Sequence, residues 1–184
     1  NPTDVPQRIL VPLSNPESAN DLMDVAVLLR AGASEEAIYP TTVVRDGPNA
    51  ESDVVRGESM LSKAVLHAAA SEVPVMPSTR IDYNAVNGIV RAIKEDRIST
   101  VVIGWHGQST AREYIFGSVL DQLLERTRQM IIVSRFAHPM NTHTRMVLAV
   151  PPYADRESGF ADAMRALKVL CNQAGLDLVV VAAE

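Results

Sequence analysis

Short aliphatic runs alternate with longer amphipathic segments along this 184-residue chain, and that alternation restricts its fold more than any other feature. Ile9-Leu10-Val11-Pro12-Leu13 is the first run. Ser14-Asn15-Pro16-Glu17 follows with polar cap residues and an early proline, and predicts a helix to about Ala31, with Leu22, Ala26 and Leu29 on one face and Gly32 as its stop. A second strand is expected from about Ala37 to Val44. The loop chemistry of Asp46-Gly47-Pro48-Asn49, within Arg45 to Ser52, then precedes a helix to about Ala70 whose buried stripe is Leu61, Val65 and Ala68. Pro74 and Pro77 make the third strand, about Val75 to Ile81, an edge strand, because proline removes a ladder donor. Asp82 or Asn84 opens a helix carrying Val86, Ile89, Val90 and Ile93 at helical spacing. Thr100-Val101-Val102-Ile103 reads as a strand buried on both faces, running straight into Gly104. A helix from Phe116 to about Thr127 and a fifth strand, Met130 to Val133, complete five strands and four helices by about Phe136. Such an order belongs to an α/β protein built of βαβ units around a parallel sheet.

The chain then begins again. Arg145-Met146-Val147-Leu148-Ala149-Val150-Pro151 restates Arg8-Ile9-Leu10-Val11-Pro12-Leu13-Ser14 at a constant offset of 137. A helical stretch from about Asp155 to Ala174, stopped by Gly175, and a strand from Leu176 to Val181 follow. The expected organisation is one complete domain over residues 1–136, a linker over 137–144, and over 145–184 a partial second copy comprising β, α and β. A flap added to a single domain is the plainer alternative. An orphaned βαβ unit cannot bury both faces of its sheet, so it is expected to pack on the complete domain or on a neighbouring chain.

Composition excludes several classes. With 47% hydrophobic and 21% charged residues the chain can build a core, so disorder and disulfide scaffolds do not apply. The one cysteine, Cys171, forms no internal disulfide and fits a reducing, cytoplasmic compartment. The net charge is −5 and the 14 Arg and 3 Lys are scattered, which argues against nucleic acid as a partner. No run approaches the length of a membrane span. The start at Asn1, without Met or a signal-like segment, is what an excised piece of a longer protein presents.

The chemistry gathers after the fourth strand. Gly104-Trp105-His106-Gly107, nine residues, then Gly117-Ser118 place two glycines three apart beyond a buried strand and a Gly-Ser pair at an expected helix start. Glycines without Cβ let several N–H groups converge, and the positive end of a helix with the Ser118 hydroxyl favours an anion, so the segment suits a phosphate. A glycine turn followed by a glycine helix start is the purely structural alternative. Trp105 and His106 stand inside this loop, placed to stack on a ligand or to pack over the loop. Arg112 is placed to reach a phosphate or to be simply solvated. His138 and His143 flank the linker with no cysteine or carboxylate at ligand spacing, so no metal site is expected. The chain has no Gly-x4-Gly-Lys-Ser/Thr loop and no nucleophile elbow, and no residue is assigned as catalytic.

Gly-x-x-Gly-x9-Gly-Ser, with glycines at 104, 107 and 117 and Ser118 last, resembles the ATP-binding signature of the universal stress protein family. The order of elements over about residues 6 to 136 resembles that fold too, and the repeat from 145 resembles the start of a second such domain. The resemblance implies a Rossmann-like, doubly wound five-stranded parallel sheet of the adenine nucleotide alpha-hydrolase-like type, with nucleotide at the strand carboxyl ends near the switch point. It also implies homodimers through the last strand, Met130–Val133. Carried over, Gly104, Gly107, Gly117, Ser118 and the Val119 amide hold phosphates and ribose, while Val43 and the Pro12 to Ser14 corner face the adenine; His106 and Arg112 are accessory. ATP-binding members usually carry an acidic residue where this chain has Ser14, and Pro151 stands there in the repeat. The implied function is regulatory binding of ATP or AMP, with a cyclic dinucleotide as the alternative ligand. A dimerisation module without ligand and a weak ATPase are the alternative functions.

Val102-Ile103-Gly104-Trp105-His106-Gly107 and Ile115-Phe116-Gly117-Ser118-Val119-Leu120-Asp121-Gln122-Leu123-Leu124 also resemble the tandem stress-protein region that follows the membrane domain of bacterial monovalent cation:proton antiporters. That resemblance implies a sensing domain on the cytoplasmic side of the inner membrane, covalently attached to a transport domain.

Overall fold

The computed structural model describes residues 7–30, 34–105 and 113–182. Its first part runs β1 (Ile9–Pro12), α1 (Pro16–Leu29), β2 (Ile38–Arg45), α2 (Ala50–Ala69), β3 (Ser78–Asp82), α3 (Ala85–Glu95), β4 (Thr100–Gly104), α4 (Glu113–Arg126) and β5 (Met130–Ser134). The strands form one sheet in the order β3-β2-β1-β4-β5, and every neighbouring pair is parallel. Parallel neighbours need crossovers, and the helices supply them on both faces. Strand alternation sorts the core accordingly. Ile9, Val11, Ile38 and Val102 pack with α1 and α2, including Met23, Ala26, Leu61 and Ala64. Leu10, Tyr39, Val101 and Ile103 pack with α3 and α4, including Ile89, Ile93 and Leu123. Each fully buried aliphatic side chain contributes about 1.5–3 kcal/mol, so the continuous apolar runs are what hold the layers together.

Local chemistry sets the helix starts. Pro16 occupies the first turn of α1 and the Asn15 side chain accepts the Glu17 N–H at 3.0 Å; at α3 the Asn84 side chain accepts the Asn87 N–H at 2.9 Å. Three expectations shift. α2 begins at Ala50, inside the expected loop, because the Asn49 carbonyl already accepts the Asp53 N–H at 3.0 Å. Its buried stripe is Gly57, Met60, Leu61, Ala64 and Ala68, with Val65 only half-buried. β3 starts at Ser78, since Pro77 has no N–H to give; Val75 makes only an isolated bridge to Ile38. β3 does lie at the sheet edge.

Beyond a single 3-10 turn at Met140–Thr142 come β6 (Arg145–Val150), α5 (Phe160–Ala174) and β7 (Asp177–Ala182). β6 and β7 pair in parallel as a separate two-stranded sheet. The helix starts at Phe160 rather than Asp155 because Gly159, at φ 94°, breaks the path after a short turn at Ala154–Arg156; Gly175, at φ 66°, ends it. α5 lies against α1. Leu170 is buried in the core that α1 shares with the large sheet, and the Gln173 side chain donates to the Arg30 carbonyl. Cys171 is buried beside Met146, its sulfur 3.5 Å from the thioether, and burial pushes its thiol pKa up.

Candidate functional site

The sheet order decides where a ligand can sit. After β1 the chain turns to α1 on one face, and after β4 it passes to α4 on the other, so the loops leaving these adjacent strands diverge and open a crevice at their carboxyl ends. Pro12, the last residue of β1, is half-buried; the next amide, Leu13 N–H, donates to the Thr41 carbonyl at 2.8 Å, and Ser14 stands exposed. Gly104 ends β4 and is buried, and the Trp105 N–H donates to the Ser134 carbonyl at 2.7 Å while its indole is 55% exposed. The crevice therefore brings Pro12, Ser14 and Gly104 to one place, with Trp105 at its rim.

Other expected site residues fall differently. Val43 lies one strand away, half-buried on β2 with its side chain against α3: a Cβ built on Gly88 would stand 2.5 Å from Val43 Cγ1. Its side chain thus packs beneath α3 rather than standing free over a ligand. His106, Gly107 and Arg112 lie outside the described residues. α4 begins at Glu113, one turn before the expected start, because no proline or glycine interrupts Glu113 to Phe116. Gly117 and Ser118 consequently sit in the second turn and do not open the helix. Val119, further along, has its side chain buried in the core and its amide within the helical ladder. Among the described residues, the α4 amides without an intrahelical acceptor are those of 113–115.

The α1 side of the crevice has less to offer an anion, because Pro16 lacks an N–H and Glu17 N–H is taken by Asn15. Ser14 leaves the β1 side uncharged, with an exposed hydroxyl that can donate and accept hydrogen bonds. Sequence reasoning missed Thr41. It is buried, pairs with Pro12 in the strand register, and has its hydroxyl 2.9 Å from that of Ser78. The signal was there in Thr41-Thr42, two adjacent polar residues in the middle of β2. Among the described residues no three His, Cys, Asp or Glu side chains group as a metal site, and no helix is long and apolar enough to cross a membrane.

Comparison with known proteins agrees with this architecture. A universal stress protein of Archaeoglobus fulgidus in complex with dAMP is 18% identical, with TM-score 0.56 over 70% of this chain and 98% of that one. A universal stress protein in complex with cAMP is 19% identical, with TM-score 0.55 over 72% and 98%. A universal stress protein family protein from Burkholderia pseudomallei is 24% identical, with TM-score 0.56 over 71% and 97%. No curated protein matches the chain. The model of the universal stress protein family matches residues 6–135, most of the chain and all five strands of the large sheet, and the chain therefore belongs to that family.

Proposed function

We propose that the chain is a regulatory module that binds an adenine nucleotide, ATP or AMP, in the crevice between β1 and β4. The observation that carries this reading is the junction of Gly104, buried at the end of the interior strand β4, with the Gly-x-x-Gly-x9-Gly-Ser spacing that it opens. Two similar structures hold dAMP and cAMP, which supports the ligand class. Gly104 and Gly107 let the β4–α4 backbone approach the phosphates, Gly117 and Ser118 follow within α4, and Ser14 and Pro12 border the nucleoside. The module has no assigned base or nucleophile, so its work is to favour whichever conformation or assembly holds nucleotide better. A dimerisation module without ligand is the second reading, favoured by the uncharged Ser14 and by the occupied first amides of α1.

The resemblance to antiporter regions extends this proposal to a cytoplasmic sensing domain attached to a cation:proton antiporter. The edge position of β5 suits a homodimer through Met130–Val133. Calorimetry with ATP, AMP and a cyclic dinucleotide tests the ligand, and micromolar to submillimolar binding of an adenine nucleotide is expected. Gly107→Leu should abolish it by filling the space a phosphate needs. Absence of heat at millimolar nucleotide overturns the proposal, and phosphate release faster than buffer overturns its non-enzymatic part.

A further inference from the structure

The connection from β5 to β6 is one-sided in charge. The sequence holds 22 acidic residues, yet none lies between Glu125 and Asp155, a stretch that includes Arg126, Arg128, Arg135, Arg145, His138 and His143. Part of that charge borders a void. Where this connection and α5 close over α1 and β5, a cavity of about 390 Å³ remains. Its floor is apolar, because Val25 and Leu170 are buried and Ile132, Phe136, Met140 and Met146 pack half-buried against the same core. Its rim is not. Arg135, His138 and His143 line it as well, all of them exposed, and no Asp or Glu is among the lining residues.

Such a lining selects its occupant by charge and by polarity together. The Arg135 side chain makes no hydrogen bond or ion pair among the described residues, so its planar N–H fork is free to meet a carboxylate with two parallel bonds. The His138 and His143 rings are likewise unpartnered among the described residues and add donors or acceptors beside it. A bare inorganic anion would leave the apolar floor to water, and an uncharged apolar molecule would leave the guanidinium unpaired. The volume falls within the roughly 300–1,000 Å³ of small-molecule sites. None of Pro12, Ser14 and Gly104 lines it, so the cavity is distinct from the crevice between β1 and β4.

We propose that this cavity binds a small amphipathic anion, a carboxylate carrying an apolar tail. The tail lies on Val25, Phe136 and Leu170, and the carboxylate meets Arg135 with the imidazoles of His138 and His143 at the same rim. The walls come from both sheets' elements: α1 and β5 on one side, β6 and α5 on the other. A ligand there binds only while α5 is docked on α1, and by mass action it holds the β6–α5–β7 unit to the large sheet.

Calorimetry with monomeric dodecanoate is the direct test. Saturable binding of micromolar order is expected, weaker by about tenfold or more for dodecyltrimethylammonium, which keeps the tail and inverts the charge, and for acetate, which keeps the charge and loses the tail. Arg135→Glu should weaken dodecanoate binding by about the same factor, and because that side chain is exposed the variant keeps its fold. Location is read at Cys171, which is buried beside Met146 and next in sequence to Leu170. With dodecanoate at about ten times its dissociation constant, reaction of Cys171 with a disulfide reagent should slow about tenfold, since the ligand keeps α5 docked. No saturable heat at millimolar dodecanoate, equal affinity for the cationic amphiphile, an unaffected Arg135→Glu, unchanged Cys171 reactivity or displacement by AMP each overturns the proposal. So does binding to phosphatidylglycerol vesicles with none to free dodecanoate, because the occupant is then a membrane surface.

Discussion

Individual residues set the spacing between layers. Gly88 is helical because α3 has to come close to β2: an added Cβ would lie 2.5 Å and 2.8 Å from the two methyl carbons of Val43. Gly57 does the same for α2 over Thr42, at 2.6 Å from its methyl carbon. Gly88→Ala is therefore expected to destabilise the protein by about 1–3 kcal/mol through overpacking, despite alanine's better helix propensity. Urea denaturation checks this, and an unchanged or raised midpoint would show that Val43 moves aside freely. Neither glycine was legible as a packing device in the sequence, since both sit in helical patterns where a glycine signals only weakness. Ser14 was legible, because it closes a readable strand immediately before a readable cap.

At the scale of elements, strands and caps were the most readable parts. Asn15-Pro16 announced a helix that starts at Pro16, of the two caps offered for the third helix Asn84 is the one used, and the apolar run at Thr100–Ile103 is an interior strand with a neighbour on each side. The start of α4 was not readable, because the glycine at 117 suggested a boundary that tertiary packing of Val119 and Leu123 overrides. α3 is tied to β3 at the edge by Arg80, which pairs with Glu95 and with Asp96 at 2.7 Å. The hydrogen bond and charge of Arg80, joined by Arg91, hold the Glu95 carboxyl below its usual range. A depressed carboxylate stabilises the fold above its unfolded pKa, about 4.3, and loses that contribution as pH falls through the lowered folded value. Acid titration of the melting temperature should thus fall more steeply below about pH 4.3 for the native chain than for Glu95→Gln; parallel curves would show that solvent screens the pair completely.

At the scale of the whole molecule, the described residues form two sheets joined through helices. α1 is covered on one side by the large sheet and on the other by α5, so Leu170 and the half-buried Met146 extend a core that began at Ile9. Leu170→Ala is expected to cost about 2–5 kcal/mol, felt first where α5 docks. Cys171 reports it: its buried, raised-pKa thiol should react with a disulfide reagent much faster in the variant, while amides of β1 and β4 keep their protection from exchange. Simultaneous loss of that protection would mean that the two sheets unfold as one cooperative body.

By itself the sequence determined the identity and order of the elements, the parallel character of the sheet and the place of Gly104 at the end of β4. Those follow from periodicity, caps and breakers, all of which act within a few residues of one another. Tertiary structure alone decided that the loops after β1 and β4 part to opposite faces, that Val43 is held under α3, and that α5 docks on α1 while Val147, Val179 and Val181 stay bare. Such features depend on which distant segments meet, and side-chain pattern specifies that a face is apolar without specifying what covers it.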